Sequence, residues 1–323
     1  SYIFIQGYLF TQFTFSYIII KNCKKDYYME LKYIVSTNDT YQTVHHVLLN
    51  KFKLSTRLLN KLIKTHNIYL NSKIADTREN VFSGDIVMVN LNYDEDNSNI
   101  IPHKMNLKIV YEDEWFLVID KPSGIPVHPS MLYYENSLSN GVKFYFDSIG
   151  LYKKIRPVNR LDLNTSGLVV FAKNEYIQEQ LSLQMKESIF QKEYICFVQG
   201  ILSKKSGIID QPIARKANSI IERCISNEGK PSVTEYTVLK EFNNYSKVQC
   251  NLLTGRTHQI RVHFSSIGHP LLGDTLYGIA SDKISRQALH SYKISMLHPI
   301  TREPLVLIAD LPGDMKNLEY IKK

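Results

Sequence analysis

The sequence predicts an α+β protein: a domain with a mixed, largely antiparallel sheet, preceded by a small helical unit. Three observations carry this. After residue 105, runs rich in β-branched and aromatic residues outnumber helical patterns. Those runs do not alternate strictly with helices, so an all-parallel, doubly wound sheet is excluded. Before residue 93, by contrast, the pattern is two short amphipathic helices and a hairpin. At 323 residues the chain is long enough for about two domains of roughly 100–200 residues each.

Ser1 to Ile20 carries no charge and is rich in Ile, Phe and Tyr. About 20 such residues could cross a bilayer. However, Gln6, Gln12 and Ser16 dilute the run, and no charged region precedes it. Met29-Glu30-Leu31-Lys32 reads as a start, so residues 1–28 are expected to be an extension outside the fold, with no membrane association. Residues 29–92 form the first unit. Thr43 to Phe52 has helical spacing, with Val44, Val47, Leu48 and Leu49 apolar. Ser55 is placed to cap a second helix over Thr56–Thr65, with apolar positions Leu58, Leu59, Leu62 and Ile63. Arg57, Lys61 and Lys64 share its other face. Ile68-Tyr69-Leu70 and Ile86–Leu91 read as strands, with a turn at Asn71-Ser72-Lys73.

Residues 93–104 are polar and contain Pro102, which predicts a linker. The second unit, 105–323, carries expected strands at Leu107–Glu112, Phe116–Lys121, Gly167–Ala172, Lys192–Val198 and Lys247–Leu253. Helices are expected at Tyr176–Lys186 and Thr257–Ile267.

Charge and cysteine usage narrow the function. The net charge of +8 favours an anionic partner, for which nucleic acid is the usual candidate. The four cysteines form no C-x-x-C pair, which argues against a zinc site or a disulfide framework and fits a reducing cytosol. Phosphate-loop, dinucleotide and zinc-protease signatures are absent.

The most informative run is Arg156 to Lys173, R-P-V-N-R-L-D-L-N-T-S-G-L-V-V-F-A-K. It places one carboxylate, Asp162, before a turn and anchors that turn on an apolar strand. Four further segments accompany it: I-D-K-P-S-G-I-P-V-H-P from Ile119, K-E-Y-I-C-F-V-Q-G from Lys192, L-L-T-G-R-T-H-Q-I-R-V-H from Leu252 running on to G-H-P-L-L-G-D-T-L-Y-G, and L-H-S-Y-K-I-S-M-L-H-P from Leu289. Together they resemble the ordered motifs of the RluA-type pseudouridine synthases, which isomerise uridine within RNA. The N-terminal unit, through R-L-L-N-K-L-I-K and N-I-Y-L-N-S-K, resembles the RNA-binding domain named after ribosomal small-subunit protein four (the S-four domain).

The resemblance implies a pseudouridine synthase fold and a set of roles. Asp162 would be the catalytic carboxylate, Arg261 its partner and Tyr194 the active-site tyrosine. Arg160 would hold the flipped nucleotide or fill its place. Arg256 and Lys192 are expected to bind substrate, and Arg57, Lys61 and Lys64 to contact RNA phosphates. A neighbouring arginine favours the charged form of an aspartate. Thr257 is expected to cap the helix carrying Arg261, with Ile260, Phe264 and Ile267 buried. His258 is given a structural hydrogen-bonding role. No second acid is paired with Asp162, which disfavours a glycoside or nucleoside hydrolase. One departure stands in the run: the family commonly has His where this chain has Asn159. No cofactor and no metal are expected. The implied partner is RNA, with large-subunit ribosomal RNA as substrate and transfer RNA as the alternative. The implied setting is a cytoplasmic monomer. The rival class is a non-catalytic RNA-binding or ribosome-assembly factor.

Overall fold

The structure, a computed structural model, describes residues 29–320; the expectations for 1–28 lie outside them. The first unit comprises β1 (Glu30–Ile34), α1 (Val44–Asn50), α2 (Thr56–Lys64), β2 (Ile68–Leu70), β3 (Lys73–Ile74) and β4 (Ile86–Asn90). Its antiparallel sheet runs β1-β4-β2-β3. Both helix starts are capped as their sequences demand. Thr43 accepts from the His46 N–H and Ser55 from the Leu58 N–H. Val44, Val47, Leu48, Leu58, Leu59 and Leu62 are buried against the sheet. Two expected core residues are not: Leu49 and Ile63 are 36% and 42% exposed. The helices pack on one sheet face only, so the buried stripe is narrower than the apolar spacing.

The second unit comprises β5 (Ile109–Glu112), β6 (Phe116–Lys121), α3 (Leu138–Ser148), β7 (Arg156–Pro157), β8 (Ser166–Ala172), α4 (Glu175–Lys186), β9 (Gln191–Gln199), β10 (Ser206–Asp210), β11 (Ile213–Arg215), β12 (Arg223–Ile225), β13 (Val233–Glu241), β14 (Tyr245–Leu252), α5 (Gln259–Ser266), β15 (Leu289–Leu297), β16 (Pro304–Ile308) and α6 (Gly313–Asn317). The main sheet is ordered β10-β13-β14-β9-β15-β8-β6-β5, with β16 on β15 and β7 on β8. It is α+β and largely antiparallel, as predicted. The β8–β15 junction alone is parallel. β8 is buried along its whole length, which explains its unbroken apolar sequence. Among the described residues no helix is long and apolar enough to cross a membrane.

That parallel junction needs a glycine. Gly167 pairs with Ser291, has φ +110°, and a Cβ there would overlap the Ser291 backbone. No other residue accepts both conditions.

Residues 93–104 contain no helix or strand, in keeping with the linker reading, yet they lie along the second unit. The Glu95 N–H donates to Tyr152 O, and the His103 N–H to Asn140 O. The Glu95 carboxylate takes both terminal nitrogens of Arg156, at 2.6 and 2.7 Å, and also Lys61 of α2 at 3.3 Å. Burial opposes ionisation of Glu95, but Arg156 and Lys61 outweigh it and hold the carboxyl at about 2. The contribution of Glu95 is therefore complete above its ordinary range near 4.5 and drains as pH falls toward 2. Denaturation midpoints measured from pH 7 down to pH 3 should show an acid loss of about 2 kcal/mol. Glu95→Gln should flatten that dependence; an unchanged slope would remove Glu95 from the account.

Candidate active site

Asp162 stands in the turn between β7 and β8, its side chain 24% exposed. The turn is closed by the Thr165 N–H on Asp162 O, at 3.1 Å. Its approach is fixed by Asn159, which is buried and spans two backbone groups of β8. Asn159 Nδ2 donates to Leu168 O at 3.0 Å, and Asn159 Oδ1 accepts from the Val170 N–H at 2.9 Å. The Asn that departs from the family pattern thus acts as a backbone clamp, which a short amide with a donor and an acceptor makes well.

The other side of the turn rests on Lys121, which is wholly buried. Its ammonium donates to Pro122 O, Ile125 O and Leu163 O at 2.8, 2.8 and 3.0 Å. Burial and the Arg286 charge pull it down to about 7, while Asp162 acts in the opposite sense. Three acceptors match the three N–H groups of the charged form; a neutral amine has two. Lys121 sits in the I-D-K-P-S-G run, where nothing in its spacing marks a buried ammonium.

α5 brings the counter-ion. Arg261 Nη1 lies 3.2 Å from Asp162 Oδ2. The same guanidinium is gripped from behind by Asp274, Nε to Oδ2 at 2.7 Å and Nη2 to Oδ1 at 2.8 Å. Asp274 is fully buried and also accepts the backbone N–H groups of Leu276 and Tyr277. Such bidentate geometry fixes the plane of the guanidinium. Asp274 was missed as a functional residue; its signal was an acid between Gly273 and Thr275 in the motif already singled out. With its oxygens engaged in this way it is no candidate for a second general acid.

Two expectations for α5 fail. Thr257 does not cap it: the N-cap is His258, in the left-handed region with no side-chain cap bond. Gln259 does related work instead. Its Oε1 accepts from the Arg256 N–H and from Thr254 Oγ1, and its Nε2 donates to Val233 O. Ile267 is 37% exposed because the helix ends at Ser266, although Ile260 and Phe264 are buried as expected. His258 makes a side-chain hydrogen bond. Its Nδ1 lies 2.8 Å from the Tyr277 hydroxyl, and Nε2 is 3.9 Å from Asp162. Burial pushes the His258 imidazole down, favouring the neutral form.

Tyr194 lies beneath Asp162 on β9, opposite Ser291 of β15 and Cys250 of β14. It is 5% exposed and packs among Ile260, Leu289 and Val248, with Leu161 against that cluster. Burial, and then the Asp162 charge, drive its hydroxyl well above the ordinary tyrosine range, while Ser291 hydrogen bonding moderates this. The hydroxyl keeps its proton.

The remaining residues divide. Lys192 packs its ammonium against Gly255, and burial lowers it from the ordinary lysine range. Arg256 is exposed, with Nε on Pro231 O at 3.2 Å. Arg160 is exposed and lines a cavity of about 590 Å³ together with Arg57 of α2, Lys154 and His128. Lys64 is exposed. Lys61 is not a free RNA-facing cation. It is held by Glu175 at 2.5 Å and Glu95 at 3.3 Å and lies over the Tyr93 ring. Helical spacing placed it with Arg57 and Lys64, but only packing shows which neighbour that face meets.

With this geometry in view, the chain can be set beside known proteins. The family model described as RNA pseudouridylate synthase matches residues 115–266. An uncharacterized RNA pseudouridine synthase of Bacillus subtilis, YhcT, is 36% identical over 290 residues, 89% of this chain and 96% of that protein. Ribosomal large subunit pseudouridine synthase D of Pasteurella multocida is 34% identical over 271 residues, 79% of this chain and 83% of that protein. Among solved structures, human RNA pseudouridylate synthase domain containing 1 aligns with a TM-score of 0.53 and 29% identity, covering 64% of this chain and 83% of its own. Ordered motifs, a mixed sheet and similarity over most of the length agree: the chain belongs to the RNA pseudouridine synthases, isomerases that convert uridine to pseudouridine.

Proposed function

We propose that this enzyme isomerises uridine in large-subunit ribosomal RNA, with Asp162 as its one catalytic carboxylate. The observation that carries the reading is Asp162 held at 3.2 Å by an arginine that a second, buried acid orients. In the reaction the bond from ribose to uracil nitrogen breaks, the base turns over, and a bond forms to a ring carbon. Asp162 starts it, by attack or by taking a ribose proton. Arg261 keeps the carboxylate aimed, and Tyr194 is a protonated hydroxyl beneath the site. A uridine in folded RNA must leave its stack at a cost of a few kcal/mol. Arg160, exposed two residues from Asp162, holds the flipped nucleotide or fills the gap.

The RNA strand runs from that point along the cavity between the two units. Arg57, Lys154 and Arg160 line it, as do Asp96 and Glu179; Asp96 feels the Lys154 charge, and Glu179 accepts from the Ser55 hydroxyl. Glu175, an acid in the same wall, is already held by Lys61 and the Tyr93 hydroxyl. In this reading the S-four-like unit, residues 29–92, contributes Arg57 and Lys64 to phosphate binding. Arg256 and Lys192 bind substrate, and Lys61 joins the two units. The enzyme acts as a monomer. The ribosomal substrate is supported by relatives whose names specify the large subunit.

Pseudouridine mapping of total RNA from cells with and without the gene tests this. Loss of one or more large-subunit positions is expected. Loss confined to transfer RNA would reassign the substrate, and an unchanged map would sink the catalytic reading.

A further inference from the structure

Arg286 lies outside the motifs that carry Asp162, Tyr194 and Arg261. It is 7% exposed, and its side chain reaches the backbone of the turn that carries Asp162. Arg286 Nη1 donates to Asn164 O at 3.0 Å, and also to Gln287 O and Leu289 O at 3.1 and 3.3 Å. Nη2 reaches the Ser166 hydroxyl at 3.4 Å. The guanidinium is clamped by Asp314 in the first turn of α6, Nε to Oδ2 at 2.7 Å and Nη2 to Oδ1 at 3.0 Å. The neighbouring Gln287 amide adds a contact to Thr165 Oγ1.

The backbone of the same residue reaches the other half of the site. Gly273 sits so close to the Arg286 carbonyl that any Cβ at 273 would collide with it. The next residue after Gly273 is Asp274, which grips Arg261. Two residues on, the Ala288 N–H donates to Leu272 O at 2.9 Å. One short segment therefore touches both loops whose carboxylates flank Arg261. Its side chain fixes the loop of Asp162, and its backbone fixes the loop of Asp274.

We propose that Arg286, clamped by Asp314, is a positioning residue that sets the Asp162–Arg261 contact from the C-terminal helix. The physical reason is rigidity. A guanidinium with five donors in one plane can hold carbonyls and a hydroxyl on one side while a carboxylate fixes that plane from the other. Catalytic constellations lose rate when a supporting contact shifts a reacting group by about 1 Å. Arg286 has no path to substrate: it acts through the turn. The proposal rests on the reading of Asp162 as the catalytic carboxylate.

The test uses the full chain and three variants, Asp314→Asn, Asp314→Glu and Arg286→Lys, with Asp162→Asn as control. Single-turnover rates at saturating enzyme are measured beside dissociation constants for the same RNA. Asp314→Asn keeps the shape of a side chain that is 42% exposed, so it should fold even if Arg286→Lys does not. Its rate should fall about tenfold or more, with the dissociation constant within about twofold. Asp314→Glu, which restores the charge, should recover part of that rate. A parental rate in Asp314→Asn would overturn the proposal. So would rate and affinity falling together, or no recovery in Asp314→Glu, since each marks general loosening of the fold. An active Asp162→Asn would instead refute the catalytic reading, so the two failures are told apart.

Discussion

Asp162→Ala is expected to abolish pseudouridine formation, by at least about 10³-fold, while RNA affinity stays within about twofold. The loss is large because the turn offers no substitute carboxylate. Asp274, the nearest acid identified, is fully buried and occupied by Arg261 and two backbone N–H groups. Affinity should survive because the cations proposed to meet phosphates, Arg57, Lys154 and Arg160, lie elsewhere along the cavity. The fold should survive as well. Asp162 is partly exposed, and Arg261 keeps its bidentate partner when Asp162 is truncated. The measurement is single-turnover conversion on target RNA beside a binding titration. Residual activity near the parental level would remove Asp162 from the mechanism and favour the RNA-binding rival.

Asp274→Ala should do two things together. It leaves a buried arginine with only its bond to Asp162, and breaking a buried pair by removing one partner costs about 3–5 kcal/mol. It also frees the guanidinium that is held 3.2 Å from Asp162. Denaturant midpoints should drop accordingly, and the single-turnover rate should fall beyond what the unfolded fraction explains. Asp274→Asn keeps the shape but offers one acceptor where two are needed, so it should be milder in stability and still slow. A variant that loses stability but turns over at the parental rate when folded would make Asp274 purely structural. The contrast with Asp162→Ala is diagnostic: one acid is cheap to remove for the fold and fatal for the reaction, the other is costly for both.

Much of the site was legible because its residues lie close in sequence. Asp162, Arg160 and the strand that anchors them share one run, and the turn between β7 and β8 forms there. The S-four-like helices were legible for a similar reason, since Thr43 and Ser55 cap locally and the apolar spacing repeats every turn. Failures fall where long-range packing decides. Ile63 and Ile267 are apolar at helical spacing but face solvent. The cap of α5 went to Gln259 and the loop before it because β13 passes there and supplies Val233 O. β1 was missed because its partner, β4, comes more than fifty residues later. Lys61 shared a basic stripe with Arg57 and Lys64, yet the approach of Glu95 and Glu175 turned it into an internal tie.

The sequence by itself determined the fold class and the family, and it singled out Asp162, Tyr194 and Arg261 as the candidates to test. Ordered motifs carry that information: the turn run around Asp162, the K-E-Y strand and the G-R-T-H-Q-I-R segment each resemble the family's. Only the tertiary structure decided how those residues are held. Asp274 behind Arg261, Lys121 beneath Leu163 and Arg286 beneath Asn164 each come from another segment of the chain. Their role is set by where a carbonyl or a carboxylate lies in space, and spacing along the chain does not encode that distance.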